Sequence, residues 1–195
     1  MNGSGRGRLL VAATLVSVVL GGASAGCGSQ ERPLTPAEVQ RFVLVKETTD
    51  NLTRLINLIS TADDTTSALS RAKAGSAEAR RLRRGARIGW NNVLVGLNAF
   101  TPRQARAVSG LAETVGTTRD VAFNWLDVLR AYRGDVGTLA RAHKEELKSR
   151  RLIRRLAATL ARLACSLESK HPELAPAGSA KSDCAAARKL TGTGG

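Results

Sequence analysis

The sequence predicts an all-α protein: an up-down bundle of about four long helices, followed by a tail that a disulfide pins to the last helix. Apolar residues recur at three- and four-residue spacing over long stretches, and no stretch alternates with period two for long enough to indicate a sheet. Aromatic residues make up only 3% of the chain, so aliphatic side chains must build the core and strand-forming residues are few. Short turns between the helical stretches favour antiparallel neighbours.

The first predicted helix covers residues 36–60. It begins at a capping box formed by Thr35 and Glu38, with Pro36 at the first helical position. The apolar face of this helix follows alternating three- and four-residue spacing, which is typical of coiled-coil-like packing: Phe42, Val45, Thr49, Leu52, Ile56 and Ile59. We therefore expect one continuous face toward the core.

The second predicted stretch covers residues 66–99 and follows a turn with a new cap at residues 63–66. The apolar residues of its later part stand at helical spacing: Leu82, Ala86, Trp90, Val93 and Leu97. Gly85, Gly89 and Gly96 lie among them. Each glycine costs about 1 kcal/mol of helix propensity, so we expect these three to permit close helix packing or to mark a bend.

The third and fourth stretches cover residues 102–133 and 136–170. A second capping box, Thr101 to Gln104, begins the third, and Gly116-Thr117 predicts a break with a restart. Asp135 is the predicted N-cap of the last helix, and His171-Pro172 ends it. The seam of the last helix is aliphatic: Ile153, Leu156, Leu160, Leu163 and Leu167.

The first 26 residues have the order of a secretory signal. A start with two arginines precedes an apolar run over residues 9–20, which is shorter than the roughly 20 residues of a membrane span, and small residues follow. Residues 23–25, Ala-Ser-Ala, fit the site of ordinary signal peptidase, with cleavage before Gly26. Residues 24–27, Ser-Ala-Gly-Cys, resemble the lipobox of bacterial lipoproteins, with Ser24 at the position of leucine.

This resemblance implies a diacylglycerol thioether on Cys27, cleavage before that residue, and anchoring on the outer face of the cytoplasmic membrane. The abundance of Arg, Ala and Gly is similar to that of actinobacterial proteins. We accordingly divide the chain into a signal (1–26), a lipidated tether (27–35), a helical bundle domain (36–171) and a C-terminal tail (172–195) with one short helix that Ser182 caps.

The chain contains three cysteines, and this odd number is relevant to whether Cys27 carries a lipid. Exported proteins tend to pair their cysteines. If Cys27 is lipidated, Cys165 and Cys184 can form one disulfide and none is left over; in a plain secreted protein Cys27 would be a free thiol. A disulfide of this spacing would contribute roughly 3 kcal/mol in the chain-entropy model.

The chain is strongly basic. Its net charge is +14, and loss of Arg6 and Arg8 with the signal leaves 28 basic and 16 acidic residues, or +12. The basic side chains form two helical faces, one of Arg80, Arg83, Arg84 and Arg87 and one of Lys144, Lys148, Arg151 and Arg155. They are either solvated outer faces or binding surfaces for anionic lipid headgroups or an anionic wall polymer. Nucleic acid is disfavoured because an exported protein rarely meets it.

No catalytic constellation stands out. His143 stands among charged residues that indicate a solvated face, and His171 stands at a helix end. Asp63-Asp64 and Glu145-Glu146 are paired carboxylates by sequence only, which favours capping or surface roles. No metal-ligand spacing, haem motif, phosphate loop or nucleophile elbow is present in the sequence. We therefore predict neither enzyme activity nor a cofactor or bound metal.

Two functions remain open at this point. The first is a non-enzymatic, membrane-anchored helical module that binds an envelope protein or an anionic envelope component. The second is a carrier or sensor of a small ligand, with a pocket inside the bundle. Trp90, Trp125 and Tyr132 could line such a pocket, although aromatic residues at helical spacing are more often part of the core.

Overall fold

The computed structural model describes residues 33–174 together with Cys184 and Ala185. Over these residues it contains five α-helices and no strand: α1 (Pro36–Arg71), α2 (Ala77–Leu97), α3 (Pro102–Ala107), α4 (Leu111–Ala131) and α5 (Val136–Lys170), followed by a 3-10 turn at Pro172–Leu174. The predicted all-α class is confirmed. The predicted signal, most of the tether and most of the tail lie outside the described residues, although Cys184 and Ala185 are helical.

The four long helices pack as a ring in which α1 contacts α2, α2 contacts α4, α4 contacts α5, and α5 closes back on α1. The core they share is mostly aliphatic, and the two indoles are its largest buried side chains. Trp90 and Trp125 stack with ring centroids 5.4 Å apart. A disulfide joins Cys165 of α5 to Cys184, so the predicted pairing is present.

Helix α1 is longer than predicted. The predicted end near residue 60 and the turn at residues 63–66 are wrong, because the helix continues to Arg71. Ala62, Thr66 and Leu69 are buried and extend the apolar face, and the Thr66 hydroxyl donates to the carbonyl of Ala62 at 2.8 Å. The second helix begins instead at Ala77, with Ser76 as its N-cap.

The third predicted stretch is two helices. Its break falls at residues 108–110, where Gly110 has φ +78°, and not at Gly116-Thr117, which lie inside α4. Thr114 and Thr118 are buried on either side of Gly116, and each hydroxyl donates to the carbonyl four residues earlier, so both polar groups are satisfied inside the bundle. Thr118 is also within 2.9 Å of the Ser149 hydroxyl of α5.

Several of the remaining local predictions are confirmed. Both capping boxes are formed, and Asp135 accepts a hydrogen bond from the Gly137 amide at 2.9 Å as N-cap of α5. The Thr138 hydroxyl also donates to Asp135, and this bond is the main reason why the pKa of that carboxyl is lowered. Helix α5 ends at Lys170 as expected. In the described part of the chain, no helix is both long and apolar enough to cross a bilayer.

Candidate functional site

Two loops meet at one end of the bundle. The loop between α1 and α2 contains Gly75 (φ +77°), and the loop between α4 and α5 contains Gly134 (φ +109°). A Cβ atom at position 134 would lie 2.8 Å from the Cβ of Ala74. Position 134 therefore requires glycine for its backbone conformation and for the contact between the loops.

An arginine-lined cleft of about 390 Å³ opens between these loops and the first turns of α2. We call it the arginine cleft; its lining residues are Gly75, Ala79, Arg80, Arg83, Tyr132, Arg133 and Gly134. Backbone carbonyls hold the three guanidiniums in place. Arg80 donates to Gly75 at 2.7 Å, while Arg83 and Arg133 both donate to the carbonyl of Tyr132, at 3.1 and 3.3 Å.

The three guanidiniums of the arginine cleft form no ion pair with a carboxylate of the described residues. Within residues 33–174, no carboxylate lies within 4.0 Å of the guanidinium nitrogens of Arg80, Arg83 or Arg133. Each guanidinium carries five N–H donors, and the carbonyl contacts use only some of them. Helices α2 and α5 begin at this end of the bundle and α1 and α4 end there, so the helix dipoles largely offset one another and the positive charge comes from the guanidiniums. The arrangement is suited to binding a phosphate or carboxylate group.

The structure separates the two basic faces that the sequence predicts. Arg84 and Arg87 are exposed on α2 outside the arginine cleft. Lys144, Lys148, Arg151 and Arg155 are all exposed on α5, and α5 lies diagonally across the bundle from α2. Lys148 is also paired with Glu145 at 2.8 Å. The two faces therefore do not form one surface, and Arg133, which the sequence did not single out, completes the cleft instead.

A second group of charged side chains lies between α1 and α5, which we call the ion cluster: Asp63, His143, Glu146 and Arg150. His143 Nδ1 is 3.0 Å from Asp63 Oδ1 and 2.9 Å from Glu146 Oε2. Arg150 Nη2 is 2.7 Å from Glu146 Oε1 and 3.2 Å from Asp63 Oδ2. The surface and capping roles predicted for Asp63 and Glu146 are therefore wrong, since the Glu146 side chain is only 1% exposed.

The ion cluster is an unfavourable place for the negative charge of Glu146. Burial raises the pKa of the Glu146 carboxyl above its ordinary value, and the charge of Asp63 raises it further, while Arg150 and His143 act in the opposite direction. The contacts are ion pairs without hydrogen-bond alignment, because neither Glu146 oxygen nor Asp63 Oδ1 accepts a hydrogen bond. A buried carboxylate without a hydrogen-bond donor is costly to hold in a helix interface.

A smaller cleft of about 210 Å³ adjoins the ion cluster, and we call it the indole cleft. Asp63, His143 and Trp125 line it, together with the hydroxyl residues Thr66, Ser67 and Ser70 of α1 and the apolar residues Val136, Leu139 and Ala140 of α5. The Trp125 Nε1 atom is buried and has no hydrogen-bond partner, whereas Trp90 Nε1 donates to the Thr66 hydroxyl at 3.3 Å. Trp90, Trp125 and Tyr132 are buried core residues, as the sequence favoured, and Trp125 also borders this cleft.

Sequence reasoning missed the ion cluster although a signal for it exists. The predicted seam of α5, extended toward its start from Ile153 at the same alternating spacing, passes through Ser149, Glu146, Ala142 and Leu139, and all of these are buried. The predicted face of α1, extended beyond Ile59, likewise passes through Asp63 and Thr66. A carboxylate in the register of a seam indicates a buried charge that needs a partner.

Comparisons with protein-family models, with curated proteins and with solved structures find no significant match to this chain. Its function must therefore be argued from the geometry of its own residues.

Proposed function

We propose that this protein is a non-enzymatic, membrane-anchored helical module of the cell envelope that binds an anionic wall polymer through the arginine cleft. The observation that carries the proposal is the set of three guanidiniums, Arg80, Arg83 and Arg133, which line one open cleft and have no carboxylate partner in the described part of the chain. Buried or clustered cations of this kind are stabilised when an anion binds.

The arginine cleft lies at the opposite end of α1 from the predicted tether. A tether from Cys27 would join the bundle at Pro36, the first residue of α1, while Gly75 of the cleft follows the last residue, Arg71. A helix of 36 residues is about 54 Å long. The cleft and the start of α1 are thus about one helix length apart, and the vesicle experiment below distinguishes a polymer from lipid headgroups as the anionic partner.

The anchor itself is supported by the sequence. The order of basic, apolar and small residues before Cys27 supports export, and the Cys165–Cys184 bond leaves Cys27 as the one cysteine available for a lipid. Intact mass of the processed protein tests this step. We expect a chain that begins at Cys27 and carries diacylglycerol, and a Cys27→Ser variant that carries none. A chain that begins at Gly26 without lipid would contradict the anchor.

Polymer binding is tested with the full chain and fluorescent polyphosphate as the anionic probe. We expect Arg80→Ala/Arg83→Ala to weaken binding at least roughly 100-fold, because the variant removes two charged hydrogen bonds, each worth about 1.5–3 kcal/mol. Arg151→Ala/Arg155→Ala removes the same charge from the exposed face of α5 and serves as the matched control. Equal losses in the two variants would mean that only the net charge attracts the probe.

Vesicles with and without phosphatidylglycerol separate the two anionic partners. We expect the arginine cleft variant to lose polyphosphate binding while its binding to anionic vesicles changes little. Tighter binding to the vesicles than to the polymer, with the same dependence on Arg83, would assign the cleft to lipid headgroups instead. Circular dichroism of each variant checks that the helices remain folded.

The indole cleft supports a second function, that of a carrier or sensor of a small ligand. Its support is the unpaired Trp125 Nε1 at the edge of a cleft that has a carboxylate and an imidazole on its other wall. At about 210 Å³ the cleft is smaller than the roughly 300–1,000 Å³ of drug-sized sites, so only a ligand of a few atoms fits. Tryptophan fluorescence that stays constant across a screen of small anions and metabolites would argue against this function.

A further inference from the structure

We infer that the ion cluster is a binding site for a divalent first-row transition-metal ion, with Asp63, His143 and Glu146 as its protein ligands. One ligand atom from each of the three residues lies within 4.8 Å of the other two. Imidazole nitrogen together with carboxylate oxygen is the donor set that suits Zn²⁺ and Mn²⁺. Three protein ligands with an open fourth position are typical of accessible zinc sites.

The distances within the cluster fit an ion after a small displacement. His143 Nδ1 is 3.0 and 2.9 Å from the nearest oxygens of Asp63 and Glu146. Ligands that are about 2.1 Å from a zinc ion in a tetrahedral site stand about 3.4 Å apart, so His143 needs to move from each carboxylate by only a few tenths of an ångström, and the three ligand atoms all lie within 4.8 Å of one another. Asp63 lies on α1 and the other two ligands lie on α5, so the ion would join the two helices.

Arg150 does not block the site, since it contacts the opposite edge of each carboxylate. It lies against Asp63 Oδ2 and Glu146 Oε1, while Asp63 Oδ1 and Glu146 Oε2 face His143. Arg150 thus acts as a positioning residue that orients both ligands, as second-layer partners commonly do in metal sites.

Two independent observations indicate that a cation belongs here. Both oxygens of Glu146, a side chain that is 1% exposed, lie close to a cationic partner, 2.9 Å from His143 or 2.7 Å from Arg150, but without an aligned hydrogen bond. The two carboxylates face one guanidinium, that of Arg150, and an imidazole that ligates a metal ion is neutral, so a bound cation would complete the charge balance of the cluster. A metal ion would satisfy both conditions, because it supplies positive charge and direct ligation to the oxygens that lack an aligned hydrogen bond.

An ion can also reach the site. The His143 side chain is 41% exposed, and the indole cleft, which Asp63 and His143 line, leaves space for the water ligands that complete the coordination. The hydroxyls of Thr66, Ser67 and Ser70 border the same cleft and offer hydrogen-bond partners for such waters.

The test measures metal content of the full chain, without an affinity tag, after removal of metals with a chelator. We expect equilibrium dialysis against Zn²⁺ to load one ion per chain, and neither Mg²⁺ nor Ca²⁺ to compete, because those ions avoid imidazole. His143→Ala is expected to weaken binding at least about tenfold, and so is Asp63→Asn. His171→Ala, which alters the other histidine of the chain at the exposed pair with Glu173, is the matched control.

A second measurement does not depend on the stability of variants. The chain contains two histidines, so a long-range proton–nitrogen spectrum shows two imidazoles, which the His171→Ala variant assigns. We expect Zn²⁺ to shift Nδ1 of His143 and to leave His171 unchanged. Failure to bind at about 100 µM Zn²⁺, or equal shifts of both rings, would overturn the metal site. Neither result would affect the arginine cleft, which shares no residue with it.

Discussion

Gly89 of α2 lies directly against Ala62 of α1: a Cβ atom at position 89 would be 3.0 Å from both the Cα and the Cβ of Ala62. This contact brings the two backbones together along the most extensive helix interface of the bundle. It also explains why a helix tolerates a glycine that costs about 1 kcal/mol of propensity. The sequence offered close packing and a bend as alternatives at this position, and close packing is what the structure contains.

We predict opposite effects for two glycine substitutions. Gly89→Ala should lower the free energy of unfolding by roughly 1–3 kcal/mol, because the neighbouring atoms are backbone and Cβ atoms that cannot move aside. Gly116→Ala on α4 should raise it by about 0.5–1 kcal/mol, since no atom lies within 4 Å of the added methyl group. Urea denaturation of both variants checks the pair; a stabilised Gly89→Ala would mean that the helices separate easily there.

The two stacked indoles should respond differently to loss of their N–H groups. Trp90 Nε1 donates to Thr66, whereas Trp125 Nε1 has no partner, and both rings are fully buried. Changing either residue to phenylalanine removes similar apolar area, but only Trp90→Phe also loses a hydrogen bond. We therefore expect Trp90→Phe to cost about 1 kcal/mol more than Trp125→Phe. Thermal unfolding of the two variants provides the comparison, and equal costs would count against the Thr66 bond.

Glu146 should make stability depend on pH in metal-free protein. Burial and the Asp63 charge raise the pKa of its carboxyl in the folded state above the ordinary 4.5. As the pH rises from 4.5 through the raised value, the folded state holds a proton that the unfolded state has released, so this residue's contribution to stability is lost. Relative to wild type, Glu146→Gln should therefore gain stability as the pH rises above 4.5.

The control for this titration is Glu145→Gln, which alters the exposed neighbour that pairs with Lys148. Denaturation midpoints measured in the presence of chelator at several pH values give the difference between each variant and wild type. A constant difference for Glu146→Gln across the range would show that the pKa of this carboxyl is the same in the folded and unfolded states.

The disulfide should stabilise the chain by restricting its unfolded state. Cys165 and Cys184 are 19 positions apart, for which the chain-entropy model gives about 3 kcal/mol. We expect Cys165→Ser/Cys184→Ser to lower the free energy of unfolding by that amount, and therefore to lower the denaturation midpoint. The helical circular dichroism of the folded state should change little. An unchanged midpoint would mean that the segment around Cys184 unfolds independently of the bundle.

The sequence by itself determined the elements whose causes are local. Neighbours within one or two turns decide where a helix is capped and which positions are apolar. These parts of the prediction are confirmed, as the capping boxes at Thr35 and Thr101 and the cap at Asp135 show. The pairing of Cys165 with Cys184 was predicted because these two cysteines remain if Cys27 carries a lipid. The prediction erred where local polarity was taken to end a helix, at Asp63 and at Gly116, because buried contacts on other helices outweigh a weak local preference.

Only the tertiary structure decided which charged side chains meet. Arg133 joins Arg80 and Arg83 because two loops whose glycines, Gly75 and Gly134, are 59 positions apart come into contact at Gly134 and Ala74. Asp63 joins His143 and Glu146 because α5 closes the ring against α1. Such meetings depend on how helices are ordered and rotated around the core, a property of the whole apolar surface that no local pattern contains.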